Sequence, residues 1–314
     1  MSASALREVE HEITIEAPAT TVYGLIESVT NWPHVFPPTI HVEQLESTGR
    51  QERIRIWATA RGEVKTWTSR RELDPEALRI TFRQEVSAPP VAAMGGAWVI
   101  EPLTADSCRV RLLHDYRALD DSPQGLAWID EAVDRNSRSE LAALRDSARR
   151  ASHAGELFLT FDDTVHIDGS AEDVYDFLNA ADRWRERLPH VSRVELRETE
   201  PGLQILTMDT LTKDGSQHST ESVRVCFPRT RIVYKQTRVP ALMTVHTGRW
   251  SLVEEPGGVA VTSRHTVVLN PDTIRQVLGE TADVADARTF VRNALGTNSL
   301  ATLGHAKEYA ESKS

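Results

Sequence analysis

The chain is written twice. Residues 12–46 and residues 164–198 carry one pattern without a gap. Val22 and Tyr23 correspond to Val174 and Tyr175, Trp32 to Trp184, and Pro37 to Pro189, each pair 152 residues apart. Further along, Ile80-Thr81-Phe82-Arg83-Gln84 meets Ile232-Val233-Tyr234-Lys235-Gln236, and Trp98 meets Trp250, at the same spacing. Solenoid units repeat every ~20–50 residues; a period near 150 is the size of a whole domain. Two copies of one domain are therefore expected, at 1–150 and 156–314. The link Arg149-Arg150-Ala151-Ser152-His153-Ala154-Gly155 is polar and expected to be exposed.

A length of 314 residues gives each copy enough chain for its own core. The net charge of −10 argues against nucleic acid, which needs a basic face, and against an electrostatic hold on anionic lipid. Cys108 and Cys226 fall in separate copies, outside any CxxC spacing, and read as small apolar strand residues. The start, MSASALREVE, has no apolar core of a signal peptide, and no apolar run approaches the ~18 residues of a membrane span. A cytoplasmic protein without a membrane role is expected. GxSxG, GxGxxG, P-loop, HExxH and CxxC patterns are missing from the sequence, so no metal and no phosphate or nicotinamide cofactor is expected.

Each copy reads in the same order. Glu12-Ile13-Thr14-Ile15 alternates like a strand. Thr20-Thr21 are candidate caps for a helix carrying Val22, Leu25, Ile26 and Val29, and Asn31-Trp32-Pro33 is expected to stop it. From His41 to Tyr116 strands alternate with turns at Thr48-Gly49, Asp74-Pro75, Pro89-Pro90 and Asp106-Ser107. Gly95-Gly96 reads as a strand irregularity and Gly257-Gly258 as a turn. From Ser122 to Ala151 the period turns helical, with Ile129, Val133, Ser137, Glu140, Leu141, Leu144 and Ala148 on or near one stripe. The second copy ends in a helix from about Ala282 to Ala310. This is an α+β pattern: a curved antiparallel sheet with one long helix across its concave face, and a gap between them suited to an apolar ligand. The plainer alternative is a gap filled by side chains.

Strand alternation selects the residues that face the gap. Trp67, Ser69, Arg71 and Leu73 share one face, and Cys108, Val110, Leu112, His114 and Tyr116 another. Arg109, Arg111, Asp115 and Arg117 then face water, and Trp98 and Ile100 point inward between. Arg71 and His114 are thus polar groups on apolar faces. Singly, each also reads as a snorkelling strand-end arginine or a satisfied core histidine. Trp32 reads as a loop anchor or as a cap on the cavity mouth, and Asn136 as a polar helix edge or a ligand contact.

The duplicated arrangement, with Asn31-Trp32-Pro33, the Trp67-Thr68-Ser69-Arg70-Arg71 strand before Asp74-Pro75, and the Leu113-His114-Asp115-Tyr116 strand, resembles the didomain aromatase/cyclases of bacterial type II polyketide synthases. These belong to the START-like, Bet v 1-like helix-grip superfamily. The resemblance implies two tandem helix-grip domains, each with a seven-stranded antiparallel sheet gripping a C-terminal helix. It implies a poly-β-ketone tethered to an acyl carrier protein, closed by a regiospecific aldol reaction and dehydrated to an aromatic ring. Didomain members typically join C7 to C12 of a chain reduced at C9, without a cofactor, alongside other synthase subunits. The family's pocket arginine and a polar residue on its last long strand match Arg71 and His114. Trp32, Trp67, Ser69, Trp98, Tyr116 and Asn136 would shape the substrate site.

At a spacing of 152, Arg71 meets Val223 and His114 meets Thr266. Second-domain candidates are Trp184, Glu221, His246, Trp250, Arg264 and Thr266, with His265 expected to face out. The second copy is either a site with different work, dehydration for example, or a degenerate copy, and the first copy is expected to hold the main catalytic site. A non-catalytic START-like carrier of an apolar ligand, or a structural partner within a synthase, are the alternative functions. Docking of an acidic carrier protein would need a local basic patch; Arg53, Arg55, Arg61 and Lys65 are candidates, as is a merely solvated sheet face.

Overall fold

The computed structural model describes residues 6–150, 154–211 and 217–313. The chain divides into two compact units, Met1–Ser152 and His153–Ser314. Of the link, residues 151–153 lie outside the described residues.

In the first unit β1 (Arg7–Ile15) leads to α1 (Ala19–Glu27) and α2 (Trp32–Val35). Six strands follow: β2 (Thr39–Ser47), β3 (Gln51–Ala60), β4 (Glu63–Asp74), β5 (Arg79–Val86), β6 (Val91–Thr104) and β7 (Ser107–Ala118). The long α3 (Pro123–Arg150) closes the unit. The second unit opens with a helical turn, α4 (Ala154–Leu157), and repeats the plan: β8 (Phe158–Ile167), α5 (Ala171–Asn179), α6 (Trp184–Arg187), then β9 (Val191–Glu200) and β10 (Leu203–Leu211). It continues through β11 (Gln217–Phe227), β12 (Arg231–Arg238), β13 (Met243–Glu255) and β14 (Gly258–Leu269) to α7 (Ile274–Leu278) and the long α8 (Val284–Glu311). The sheets run β1-β7-β6-β5-β4-β3-β2 and β8-β14-β13-β12-β11-β10-β9, every pair antiparallel. Two tandem helix-grip domains are the result.

Period-two alternation builds the sheets. On β7, Cys108, Val110, Leu112 and Tyr116 are buried, while Arg109 and Arg111 point out and pair with Glu101 and Glu10. On α3, Ile129, Val133, Ser137, Leu141, Leu144 and Ala148 form one buried stripe at helical spacing. One end of the stripe packs with Ile15, Val22, Ile26, Ile100, Val110 and Leu112 into a continuous core. The other end rests on Tyr116 and Ala118. Between these contacts helix and sheet stay apart, and a cavity remains.

Three local readings are corrected. Thr20 and Thr21 lie inside α1, whose N-cap is Pro18 without a side-chain cap. Side-chain caps sit elsewhere: Ser122 accepts from the Gly125 amide at the start of α3, Ser170 from the Asp173 amide at the start of α5, and Asp283 forms a capping box with Asp286. Asn31-Trp32-Pro33 is no stop signal, because α1 already ends at Glu27 and Trp32-Pro33 opens α2, where proline loses no helix hydrogen bond. Gly95-Gly96 is not an irregularity either, since both pair regularly with Asp115 and His114. A Cβ on Gly96 would stand 1.9 Å from the Leu113 carbonyl oxygen and 2.8 Å from the Phe82 ring. The glycines therefore let the side chains of β5 lie across β6. Gly257-Gly258 is a turn, with φ of +91° and +159°.

Candidate active site

The first cavity measures about 100 Å3, between the concave face of the first sheet and α3. Trp32, Trp67, Phe82 and Trp98 wall it, and Ser69, Arg71, His114 and Glu140 supply its polar chemistry.

Arg71 sits mid-strand on β4, 1% exposed. A buried guanidinium needs partners, and the fold supplies them from two sides. Glu52, directly across the ladder on β3, pairs with it at 3.2 Å. The end of α1 offers the Ile26 and Glu27 carbonyls, which accept at 3.1 and 3.3 Å. Trp32 completes the clamp: its ring lies 5.0 Å below the guanidinium, and its Nε1 donates to the Ile26 carbonyl at 2.9 Å. Burial pulls the Arg71 pKa down to about 10, with Glu52 opposing, so the group is charged at neutral pH.

His114 packs edge-on against Phe82, with centroids 5.5 Å apart, and its Nδ1 is buried without a partner. Burial lowers its pKa to about 4, which leaves a neutral imidazole at pH 7. Glu140 is the third ionisable group and was not among the candidates. Burial alone raises its carboxyl to about 8, so it is protonated at pH 7. Its place on the helical stripe was visible; what the stripe could not give was that position 140 faces the void and not the core.

Two expected contacts lie elsewhere. Tyr116 is buried, but its hydroxyl donates to Asp130 at 2.5 Å and its ring packs on Ile129 and Val133, outside the cavity lining. Asn136 donates from Nδ2 to the Thr59 carbonyl at 3.1 Å and ties α3 to the end of β3. Tyr116 faces inward, as alternation required, but both residues sit where α3 lies on the sheet.

The second cavity is larger, about 410 Å3. Trp184, His246 and Trp250 line it as expected. Glu221, Arg264 and Thr266 do not. Glu221 accepts from Thr237 Oγ1 at 2.6 Å, Arg264 forms a two-pronged pair with Asp162 on the outer face, and Thr266 meets Thr160 across the ladder at 3.1 Å. The counterparts of Arg71 and His114 are neither Val223 nor Thr266. Gln204 faces Arg224 across the ladder as Glu52 faces Arg71, and Gly248 faces His265 as Gly96 faces His114. His265, expected outside, is 3% exposed and lines the cavity. The spacing is thus 153 residues at the arginine and 151 at the histidine. A one-residue slip moves a strand residue to the opposite face.

Arg224 repeats the clamp, with Nη2 donating to the Leu178 carbonyl at 2.6 Å and its guanidinium 5.2 Å over the Trp184 ring. Its ladder neighbour is neutral, and Gln204 turns its amide to Asn179 and Glu198. His265 is fully engaged: Nδ1 meets His246 Nε2 at 2.9 Å, and Nε2 meets Ser299 Oγ at 2.6 Å and Ser263 Oγ at 3.2 Å. Burial lowers the His265 pKa to about 4 and lowers His246 well below the usual histidine range.

Among the described residues no group of three His, Cys, Asp or Glu side chains is placed to hold a metal, and both cysteines are buried and free. Among them, too, no helix is long and apolar enough to cross a membrane. Of the basic residues, Arg53 pairs with Glu46 and Glu85, Arg61 with Glu131 and Lys65 with Glu63.

Family models described as polyketide cyclase / dehydrase and lipid transport match residues 15–135 and 159–311. The chain is 54% identical over 299 residues to the granaticin polyketide synthase bifunctional cyclase/dehydratase of Streptomyces virginiae, covering 94% of this chain and 97% of that one. It is 46% identical over 316 residues to the actinorhodin polyketide synthase bifunctional cyclase/dehydratase of Streptomyces coelicolor, covering 98% of each. Among solved structures, the di-domain ARO/CYC BexL from the BE-7585A biosynthetic pathway superposes with a TM-score of 0.86 at 62% identity, covering 97% of this chain and 99% of that one. The di-domain ARO/CYC StfQ from the steffimycin biosynthetic pathway gives 0.84 at 36% identity with the same coverage.

Proposed function

The chain belongs to the polyketide cyclase/dehydrase family, and on that premise we propose that it closes the first ring of a poly-β-ketone and dehydrates it to an aromatic ring. The finer reading is an aldol bond between C7 and C12 of a chain reduced at C9 and tethered to an acyl carrier protein. It places the enzyme in the cytoplasm beside the other synthase subunits.

One observation carries the first-domain mechanism: three ionisable groups in three different states face one aromatic-walled space. Arg71 is cationic, His114 neutral and Glu140 protonated at pH 7. In the aldol step His114 removes a proton from a carbon between two carbonyls. Arg71 donates to the enolate oxygen through N–H groups not used by the Ile26 and Glu27 carbonyls or by Glu52. The enolate carbon attacks the distant carbonyl carbon, and Glu140 gives its proton to the oxygen that becomes the hydroxyl. Trp32, Trp67, Phe82 and Trp98 fold the chain so that one pair of carbons meets. An apolar-ligand carrier has no use for three ionisable groups turned into its cavity, each costly to desolvate.

Reconstitution of a minimal synthase and ketoreductase with wild type, Arg71→Ala and His114→Ala, with products read by mass spectrometry, tests this. Wild type should divert shunt products to one aromatised ring, and both variants should not. An unchanged product profile and rate in Arg71→Ala would remove the role assigned to that residue.

A further inference from the structure

Among the described residues, three polar atoms around the second cavity have no partner: Nη1 of Arg224, Nδ1 of His246 and Oε1 of Gln236. Arg224 and His246 are each 2% exposed, so these atoms are desolvated as well as unpaired. A void of about 410 Å3 with such groups on its wall, and Trp184, Trp250, Leu206 and Met208 between them, fits an apolar ligand studded with oxygens.

His246 also begins a chain of contacts. Its Nε2 meets His265 Nδ1 at 2.9 Å, and His265 Nε2 meets Ser299 Oγ at 2.6 Å. Burial keeps both rings neutral. Two arrangements of hydrogens then satisfy both the His246–His265 and the His265–Ser299 contact. In one, Nδ1 of His246 is bare, each ring donates from Nε2, and the Ser299 hydroxyl has its hydrogen free. In the other, Ser299 donates to His265, each ring carries its hydrogen on Nδ1, and His246 presents an N–H to the cavity. The two differ by the passage of one proton along the chain. The first cavity has no such chain, because Met94 and Leu112 hold the ladder positions of His246 and Ser263.

We propose that His246, His265 and Ser299 form a proton relay that eliminates water from the ring-closed β-hydroxy ketone, held in the second cavity by Arg224. This rests on the cyclase/dehydratase reading. Arg224 Nη1 donates to the ketone oxygen. His246 Nδ1 takes the proton from the carbon between the ketone and the carbinol. The Nε2 hydrogen of His246 passes to Nδ1 of His265, that of His265 Nε2 passes to Ser299, and the Ser299 hydrogen passes to the departing hydroxyl. The C–H pair becomes the new C=C bond, the C–O pair leaves with oxygen, and one water is released. A water entering the emptied cavity carries the hydrogen back from Nδ1 to Ser299.

The test is the reconstituted synthase with His246→Gln, whose amide keeps an N–H toward His265 but has no base, and Ser299→Ala, which removes only the hydroxyl. Wild type and Arg71→Ala run alongside, with thermal melts of each protein. Both relay variants should accumulate a cyclised species heavier than the wild-type product by one water, with aromatisation slowed about 100-fold or more. Ser299→Ala, lacking a single oxygen atom, keeps the test alive if the histidine variant melts early. Wild-type product at wild-type rate from both variants would overturn the relay and leave the Arg71 result standing. Uncyclised chains from a variant with an unchanged melt would also overturn it, since the second cavity would then act in ring closure. A wild type that diverts no shunt product would instead overturn the parent reading.

Discussion

The two cavities hold the same arginine and the same histidine in different company. Arg71 has a carboxylate across the ladder, and Arg224 has an amide. His114 stands beside a phenyl ring with a bare Nδ1, while His265 is bonded on both nitrogens. Glu140 on α3 has Thr302 as its counterpart on α8, 162 residues on, the spacing that also relates Leu141 to Leu303 and Ser137 to Ser299. Duplication has kept the anchors that hold a guanidinium under a helix end and varied the groups that set its chemistry. A charge-matched arginine is a weaker electrostatic donor than an unmatched one, and a free imidazole is a simpler base than a relayed one. Those differences suit the ring closure proposed for one cavity and the elimination proposed for the other.

The largest way to break the comparison is to remove the carboxylate. Glu52→Ala strands a buried guanidinium and should destabilise the first unit by about 3–5 kcal/mol, whereas Gln204→Ala should cost the second about 1–3 kcal/mol. Denaturant titration with hydrogen exchange assigned to each unit reads both. Equal costs would mean that Glu52 does not carry the charge of Arg71. Next come the glycines under the aromatic rings. Gly96→Ala drives a Cβ into the Leu113 carbonyl, which is backbone, and Gly248→Ala drives one into the movable Tyr234 ring. We expect about 3 kcal/mol for the first and about 1 kcal/mol for the second, measured as shifts in denaturant midpoint.

Between pH 7 and 8 the two units should respond with opposite slopes. Glu140 has its carboxyl raised from 4.5 to about 8, so the unfolded chain ionises first and stability falls as pH climbs through that window. Lys235, lowered from 10.5 to about 7, acts the other way: the folded amine is already neutral, and stability rises from about pH 7 to 10.5. Below pH 6.5 the second unit loses stability, because His265, lowered to about 4, stays neutral while the unfolded chain takes up protons; in the first unit His114 acts the same way, but Glu140, already protonated in the fold, offsets it down to about pH 4.5. Midpoints across this range should lose the alkaline decline of the first unit in Glu140→Gln; persistence of that decline would refute the assignment. The smallest contrast is at the helix starts. Ser170→Ala should cost the second unit about 1 kcal/mol, and Thr20→Ala, outside any cap, less than about 0.5 kcal/mol.

The fold was legible because strand alternation and a domain-length repeat are strong signals, and they placed Arg71, His114, Trp67 and Trp98 inward correctly. Tyr116 also faces inward; no single-strand pattern says where α3 touches the sheet and where it stands off. Glu140 shows the same limit from the helix side. The second site was misread for a sharper reason. Leu73 to Ile80 spans one residue more than Cys226 to Ile232, and β6 and β7 shift register between Pro102 and Thr104. Each change alters the count by one while the ladder stays intact. A fixed spacing of 152 therefore selected Val223 and Thr266, the neighbours of the residues that matter.

That drifting count matters to anyone who would trade parts between the halves. A chimera cut at a constant spacing would bring Val223 into the place of Arg71 and Thr266 into that of His114, and would turn Arg224 and His265 to the opposite face of the sheet. The exchangeable module here is a single strand with its own turns. Grafts joined at Asp74-Pro75, or at the turn before Ser107, would carry their register with them, and a strand could then pass between the halves with its inward face intact.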